Sequence, residues 1–265
     1  MAENGIAYER TGAIGWLIFN RPEKMNAITY AMLDRIDDVL HEAHNDDALR
    51  VLIVTGNGRA FSAGTDLGEL SQRLPEAAGR NRPAAEPNPE RPAPWTLTSL
   101  PKPVIAAVNG AAVGLGAEFT LQADLRLAGE SARFSWIFPQ RGLVPDTGAG
   151  TWLLPRALGL ARAAKLLYTG AMIDAAEALR LGLVEEVVPD GELRGRAEAL
   201  AQQIARGAPL AIEQIKRLLY QGLARDAFTH VADNAQTLQR MFATEDHREG
   251  VRSFLERREP QFVRR

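Results

Sequence analysis

The 265-residue sequence contains no cysteine. Disulfide bonds, thiolate nucleophiles and cysteine-ligated zinc are therefore excluded. Histidine is scarce, with four residues in the chain, and all of them lie in polar, helix-like surroundings. Their spacing supports neither a metal site nor a serine–histidine–aspartate arrangement. The sequence therefore predicts no bound metal ion.

Long hydrophobic runs are missing as well. Runs such as residues 104–108 are far too short to span a bilayer. Residues 1–5 do not begin a basic stretch followed by an apolar one, so they do not resemble a signal peptide. The net charge of −2 shows no excess of basic residues that would favour nucleic acid. We expect a cytoplasmic protein that binds neither membranes nor nucleic acids.

The hydrophobic content of 46% is enough for one sizeable core. Residues 50–55 and 103–108 are continuous apolar runs, typical of strands buried on both faces of a parallel sheet. Helix-like spacing follows such runs, with Thr29 and Asp174 as candidate N-caps. Beyond residue 190 the pattern is helical throughout. The sequence therefore predicts an α/β fold with a helical tail.

Residues 73–94 interrupt this pattern. They contain six prolines among charged residues and alanines, with little periodicity. We predict a mobile surface loop here. Two interpretations remain open: a lid over a binding site, or a disordered insertion without a function.

Two glycine-containing segments carry the strongest signal for chemistry. Phe61-Ser-Ala-Gly-Thr-Asp-Leu67 and Asn109-Gly-Ala-Ala-Val-Gly-Leu-Gly-Ala-Glu118 each join a buried strand to a helix. Backbone N–H groups at the start of a helix have no partner within it and carry the positive end of its dipole. Two such turns aimed at one point would make an oxyanion hole. With Glu118 just inside the second helix, this suggests conversion of an acyl carbonyl to an enolate.

Simpler interpretations exist for the same residues. Asp66 could merely cap a helix at a strand-to-helix corner, and Glu118 could be a salt-bridged structural residue. However, a carboxylate on an apolar helix is costly to bury, and burial raises its pKa toward the range that suits acid–base catalysis. A dinucleotide fingerprint is disfavoured because position 119, where the third glycine would stand, is Phe119.

Several motifs together resemble the crotonase superfamily, the enoyl-CoA hydratase/isomerase family. The resemblance spans essentially the whole chain. Its motifs are Asn20-Arg-Pro-Glu-Lys-Met-Asn-Ala-Ile28, Phe61-Ser-Ala-Gly-Thr-Asp-Leu67, Pro101-Lys-Pro-Val-Ile-Ala-Ala-Val-Asn-Gly110, Gly114-Leu-Gly-Ala-Glu118, Gly142-Leu-Val-Pro-Asp146 and Ala175-Ala-Glu-Ala-Leu-Arg-Leu-Gly-Leu-Val184.

The resemblance implies a crotonase-like spiral of ββα turns over residues 1–205. A C-terminal helical region, residues 206–265, would then assemble the chain into a homotrimer or a dimer of trimers. It also implies that the backbone N–H groups of Thr65 and Leu115 form the oxyanion hole for a thioester carbonyl.

By the same resemblance, the substrate is an acyl-CoA, and coenzyme A enters only as part of that substrate, without a separate cofactor. Lys24 would meet its phosphates, although it could equally be an ordinary loop lysine. Ala63 and Leu67 would meet the adenine, and Gly64 and Gly114 would let the backbone approach the substrate. The residues implied along the coenzyme A moiety are Lys24, Ala27, Ala63, Gly64, Asp66, Leu67 and Gly114.

The chain departs from the family pattern at one place. Glu118 occupies one of the two glutamate positions of the hydratases, but Phe138 stands at the second. Asp146 is the obvious replacement, because phenylacetate-pathway isomerases and haloaroyl-CoA dehalogenases use an aspartate in this neighbourhood. It could also be only a turn residue or helix cap. Trp136 and Phe138 would make the acyl pocket aromatic, or simply pack beneath a helix.

These observations lead to one functional prediction with two alternatives. We expect an acyl-CoA enzyme that stabilises an enolate, with Glu118 as acid or base and Asp146 as its possible partner. Enoyl-CoA hydratase is the first choice. A double-bond isomerase is the closest alternative, because moving one proton between carbons requires only one base. A non-catalytic acyl-CoA-binding homologue is the alternative of a different class.

Overall fold

The computed structural model of the chain describes residues 3–77 and 92–265. Its strands are β1 (Ile6–Thr11), β2 (Ile14–Phe19), β3 (Val51–Gly56), β4 (Ala60–Ser62), β5 (Val104–Val108), β6 (Ala111–Val113), β7 (Leu125–Gly129), β8 (Arg133–Ser135), β9 (Ile173–Asp174) and β10 (Glu186–Val188). Its α-helices are α1 (Tyr30–Asn45), α2 (Leu67–Ala77), α3 (Leu115–Gln122), α4 (Ala149–Leu158), α5 (Leu160–Thr169), α6 (Ala175–Leu181), α7 (Leu193–Ala205), α8 (Pro209–Gly222), α9 (Ala227–Phe242) and α10 (Glu245–Glu256).

The strands form two sheets. The larger has the order β1-β2-β3-β5-β7-β10 and the smaller β4-β6-β8-β9. Along the chain, β3, β5 and β7 enter the larger sheet, and the strands that follow them, β4, β6 and β8, enter the smaller one. Successive units pair in parallel in both sheets. The predicted spiral of strand–strand–helix turns is therefore confirmed.

The first elements follow from local signals in the sequence. Strands β1 and β2 pair as an antiparallel hairpin that closes at Thr11 and Ile14. Helix α1 begins where the hydroxyl of Thr29 accepts a hydrogen bond from the Met32 amide, as the capping pattern predicts.

The core lies between the larger sheet and the helices around it. All residues of β2, β3 and β5 are buried, which explains why these strands are apolar without alternation. Helix α1 buries a stripe of residues at helical spacing against this sheet: Met32, Ile36, Val39, Leu40 and Ala43.

Helix α8 attaches the C-terminal helices to the sheet by a buried ion pair. The ammonium of Lys216 donates to Asp124 at 2.8 Å and to the carbonyl of Lys102 at 3.0 Å. The same carboxylate oxygen of Asp124 accepts the backbone N–H of Val104, where β5 begins. The two predicted parts of the chain thus contact each other directly. The division at residue 205 and the role of 206–265 in oligomerisation stay predictions.

The predicted loop over residues 73–94 needs a correction at its start. Helix α2 continues to Ala77, so residues 73–77 are helical. The start of the helix is stabilised by an N-cap, because the Asp66 carboxylate accepts the backbone N–H groups of Gly68 and Glu69. The favourable helix propensity of the residues that follow this cap outweighs the unfavourable helix propensity of the proline at position 75. Most of the predicted loop, residues 78–91, lies outside the described residues.

No helix within the two described ranges combines the length and the apolar character needed to cross a membrane.

The buried ion pair yields a prediction about stability. Lys216→Met keeps the aliphatic stem but leaves the Asp124 carboxylate charged and without its cationic partner. We expect the free energy of unfolding to fall by about 3 kcal/mol, measured by urea denaturation. Arg180→Met is the control, because Arg180 pairs with Glu177 on an exposed helix face. Equal losses for both variants would contradict the prediction.

Candidate active site

The candidate site lies where three neighbouring strands end. Strands β4, β6 and β8 are adjacent and parallel in the smaller sheet, so their carboxyl ends meet at one edge. The first glycine turn follows β4, the second follows β6, and Trp136 follows β8. This topology brings together segments that are far apart in the sequence.

The first turn contains one backbone N–H group, that of Thr65, that does not bond to the neighbouring loop at Ile28. Ile28 and Thr65 form an isolated parallel bridge, in which the Ile28 N–H donates to Gly64 O at 2.8 Å and the Asp66 N–H donates to Ile28 O. This pattern does not use the N–H of Thr65, which has no protein acceptor among the described residues. Gly64 has φ +93°, a conformation that glycine adopts without strain.

The second turn places another free amide beside the first. Leu115 is the first residue of α3, so its N–H has no partner within the helix, nor an acceptor elsewhere in the described chain. A Cβ atom built on Gly64 would lie 3.4 Å from this nitrogen and only 2.7 Å from Val113 O. The two turns are therefore in contact. That both amides bind one ligand atom stays a prediction.

Glu118 is fully buried, and its carboxylate is held by three donors. The indole N–H of Trp136 donates to Oε1 at 3.0 Å. The hydroxyl of Thr147 and the backbone N–H of Gly150 donate to Oε2 at 2.6 and 3.1 Å. Both oxygens thus accept hydrogen bonds, an arrangement that suits the ionised form.

One of these donors belongs to the start of a helix. Gly150 is the second residue of α4, so its N–H is among those without an intrahelical partner. The Glu118 carboxylate satisfies this N–H and lies at the positive end of the helix dipole. A buried carboxylate is thereby stabilised without a cationic side chain.

The pKa of Glu118 results from opposing effects. Burial raises it most, and the negative charge of Asp146 raises it further, whereas the hydrogen bonds from Thr147, Gly150 and Trp136 lower it. The net direction is upward, because desolvation of the charged form is the largest effect. A carboxyl group with a raised pKa is suited to exchange protons near neutral pH.

Asp146 lies in the turn before α4, one residue before Thr147. Part of its surface reaches solvent, yet surrounding protein atoms desolvate its carboxyl enough to raise the pKa to about 6. Its charge influences the pKa of Glu118. The structure thus places two carboxyl groups with raised pKa values near each other.

The loop after β2 and the first turn form one surface, which holds most of the residues predicted along coenzyme A, whereas Gly64 and Gly114 are buried. The loop after β2 bonds to the first turn, because the Ala63 N–H donates to Met25 O at 2.9 Å. Arg21 joins the same two segments by donating to Ala27 O at 2.7 Å and to the Asp66 carboxylate at 3.1 Å. The exposed residues of this surface are Lys24, Ala63 and Leu67.

Asp66 has a structural role at this surface. It caps α2 and pairs with Arg21. The hydrogen bond from the Glu69 amide, followed by that from Arg21, holds the pKa of the Asp66 carboxyl below its ordinary value. Gly114 is buried directly before α3.

The two aromatic residues differ in their roles. Trp136 is fully buried and donates to Glu118, a contact that the sequence did not predict. Phe138 is buried and belongs to the hydrophobic core. Sequence reasoning also missed Thr147 and Gly150 as partners of Glu118. The one available signal was their position close to Asp146, for which the sequence left open a role as turn residue or helix cap.

The site combines two free amides with a buried carboxylate one helical turn away. Glu118 follows Leu115 by three residues, so both lie on one face of α3. Such an arrangement can hold a carbonyl oxygen and move a proton at a nearby carbon. Within residues 3–77 and 92–265, no group of three or more histidine, aspartate or glutamate side chains could hold a metal ion.

The sequence matches a family model described as enoyl-CoA hydratase/isomerase over residues 9–265. It is 35% identical over 259 residues to the short-chain-enoyl-CoA hydratase of Clostridium acetobutylicum, covering 97% of both chains. It is 36% identical over 261 residues to the 1,2-epoxyphenylacetyl-CoA isomerase of Escherichia coli, covering 93% of this chain and 94% of the relative.

The fold matches solved structures equally well. A crystal structure of enoyl-CoA hydratase from Bacillus anthracis superposes with a TM-score of 0.88 at 32% sequence identity. The match covers 98% of this chain and 100% of that structure.

Proposed function

The chain belongs to the enoyl-CoA hydratase/isomerase family, the crotonase superfamily, and on that premise we propose that it hydrates an enoyl-CoA thioester. The observation that carries the proposal is the buried Glu118 carboxylate, held by three donors and one helical turn from the free amide of Leu115. Hydration needs such a base beside an activated acyl group.

The reaction would begin with the thioester carbonyl between the amides of Thr65 and Leu115. Glu118 takes a proton from a water molecule, whose oxygen bonds to the β carbon. The electrons of the double bond shift toward the thioester and give an enolate, whose oxygen the two amides stabilise. The three donors favour the ionised form of Glu118 and also fix the direction of its carboxylate.

Asp146 would supply the second proton. Its pKa of about 6 leaves a protonated fraction near neutral pH. Transfer of that proton to the α carbon collapses the enolate and completes the hydrated product. This assigns to Asp146 the task that the second glutamate performs in hydratases, where this chain has Phe138.

The coenzyme A moiety would lie along the surface formed by the loop after β2 and the first turn. Lys24 is exposed there and can pair with a phosphate. Ala63 and Leu67 are exposed beside it and would meet the adenine. Ala27 and Asp66 hold this surface together through Arg21.

A double-bond isomerase is the second candidate, and Phe138 is the observation that favours it. Isomerisation requires one carboxylate that removes a proton at one carbon and returns it two carbons away. A single carboxylate suffices, so an apolar residue at the second glutamate position does not impair this reaction. Relatives of this chain include the 1,2-epoxyphenylacetyl-CoA isomerase of Escherichia coli, whose name shows that the family also contains isomerases.

Activity on two substrates separates these candidates. We expect purified protein to consume crotonyl-CoA, followed as loss of the conjugated thioester absorbance. Glu118→Gln should lower kcat by about 10²–10⁴-fold, because the base is lost. Glu130→Gln is the control, since Glu130 is exposed in the turn before β8, at the opposite end of that strand from Trp136.

Unchanged crotonyl-CoA with conversion of a 3-enoyl-CoA would overturn the hydratase proposal and support the isomerase. No turnover on a broad thioester panel, or full turnover by Glu118→Gln, would indicate that catalysis does not use Glu118. Thermal melts of both variants distinguish lost chemistry from lost structure.

The pH dependence of kcat/KM tests Asp146. If Asp146 donates a proton in hydration, kcat/KM falls as pH rises through about 6, because the protonated form disappears. If Asp146 is instead the base of an isomerase, kcat/KM rises over the same interval. Asp146→Asn should remove this limb of the profile in either case. A limb that persists in the variant would exclude Asp146.

The C-terminal helices favour an oligomer. Helices α9 and α10 present large apolar side chains to solvent, with Phe228 91% and Phe254 82% exposed. Monomeric proteins rarely leave such surfaces uncovered. We propose that these helices pack against other copies of the chain, as a homotrimer or a dimer of trimers.

Light scattering checks this assembly. We expect a mass three or six times the 28.9 kDa of one chain. Phe254→Glu should shift the mass downward, because burial of the new charge is unfavourable. A single-chain mass over a wide concentration range would contradict the proposal.

A further inference from the structure

A buried hydroxyl lies directly behind the first turn. Ser62 is fully buried at the end of β4. Its hydroxyl donates to the backbone carbonyl of Asn26 at 2.8 Å and accepts the backbone N–H of Gly64 at 3.1 Å. Because a buried N–H without an acceptor is costly, this hydroxyl determines where the Gly64 N–H can point.

The two peptides on either side of Gly64 are each held by one hydrogen bond. In the Gly64–Thr65 peptide, the Gly64 carbonyl accepts the N–H of Ile28 at 2.8 Å, and in the Ala63–Gly64 peptide, the Gly64 N–H donates to the hydroxyl of Ser62. The C=O and N–H of a trans peptide point in opposite directions. The N–H of Thr65 therefore points away from Ile28.

Ser62 also touches the second turn. A Cβ atom on Gly116 would lie 2.4 Å from Ser62 O and 2.9 Å from Ser62 Cβ, so the start of α3 packs directly on this serine. Leu115, whose amide is free, precedes Gly116 in the same helical turn. One residue thus contacts both segments that carry the free amides.

The acceptor of the Ser62 hydroxyl is itself rigid. Asn26 is fully buried with φ 55°, a left-handed conformation that asparagine tolerates. Its side-chain amide donates to Asn57 O at 2.9 Å and Ala60 O at 2.7 Å, and its Oδ1 accepts the N–H of Arg21 at 2.8 Å. The loop after β2 therefore gives Ser62 a fixed partner.

We propose that Ser62 is a positioning residue that aims the Thr65 amide at the substrate carbonyl beside the Leu115 amide. The inference rests on the proposed function, in which these amides stabilise an enolate. Ser62 touches no reacting atom. It acts through the Ala63–Gly64 peptide, which adjoins the Gly64–Thr65 peptide, and through the start of α3.

Ser62→Ala tests the inference by removing only the hydroxyl. The Gly64 N–H then lacks its acceptor, so the Ala63–Gly64 peptide can rotate and shift the Thr65 N–H that follows it. We expect kcat for the enoyl-CoA that the enzyme turns over to fall about 10- to 100-fold with little change in KM, because a misaimed donor weakens mainly the transition state. Ser62→Cys keeps a weak donor and acceptor, so its kcat should lie between those of serine and alanine.

Thr98→Val is the matched control. Thr98 is fully buried, and its hydroxyl donates to Gln122 O at 2.7 Å, outside both turns. It should lose a similar amount of stability in a thermal melt while kcat stays near that of the parent. Equal kcat losses in the Thr98 and Ser62 variants would reduce Ser62 to a structural residue and overturn the inference.

A spectroscopic measurement distinguishes failure of the inference from failure of the proposed function. Hydrogen bonds to the carbonyl of a conjugated thioester shift its absorbance to longer wavelength. Cinnamoyl-CoA bound to the parent protein should show this shift, and the Ser62→Ala complex should show a smaller one. An equal shift in both proteins would overturn the role of Ser62 alone. Binding without any shift in the parent would overturn the oxyanion hole and the inference with it. If Ser62→Ala does not fold, Ser62→Cys provides the same comparison.

Discussion

The carboxylate of Glu118 is completely buried, and a buried carboxylate is stable only where hydrogen-bond donors replace the water it has lost. Here the donors come from three segments: the end of β8, the turn before α4 and the first turn of α4 itself. The carboxylate therefore links α3 to the segments between β8 and α4. The donors stabilise its charged form, whereas burial raises its pKa and makes it ready to exchange a proton.

The two free amides result from the way in which the neighbouring backbone groups are hydrogen-bonded. In the first turn, the bridge to Ile28 and the hydroxyl of Ser62 satisfy the backbone groups of Gly64 and the N–H of Asp66. The N–H groups of Thr65 and Leu115 remain without a partner among the described residues, because neither the bridge nor the start of α3 gives them an acceptor. The proposed site for a carbonyl oxygen thus follows from ordinary rules of strand and helix termination.

Much of the fold was predictable because its signals are local. The hairpin of β1 and β2, the caps at Thr29 and Asp174, and the buried runs of β3 and β5 each depend on a few neighbouring residues. The prediction that a loop starts at residue 73 was wrong, because the cap at Asp66 begins a helix that continues to Ala77. Local signals place the beginning of an element better than its end.

The sequence by itself determined the α/β class, the family resemblance and the candidate residues Glu118, Thr65 and Leu115, because these depend on short motifs and on the pattern of apolar runs. Only the tertiary structure decided which groups satisfy Glu118. Its partners lie 18, 29 and 32 residues away along the chain. They meet it because β6 and β8 end side by side at one edge of a sheet, and no local pattern encodes that proximity.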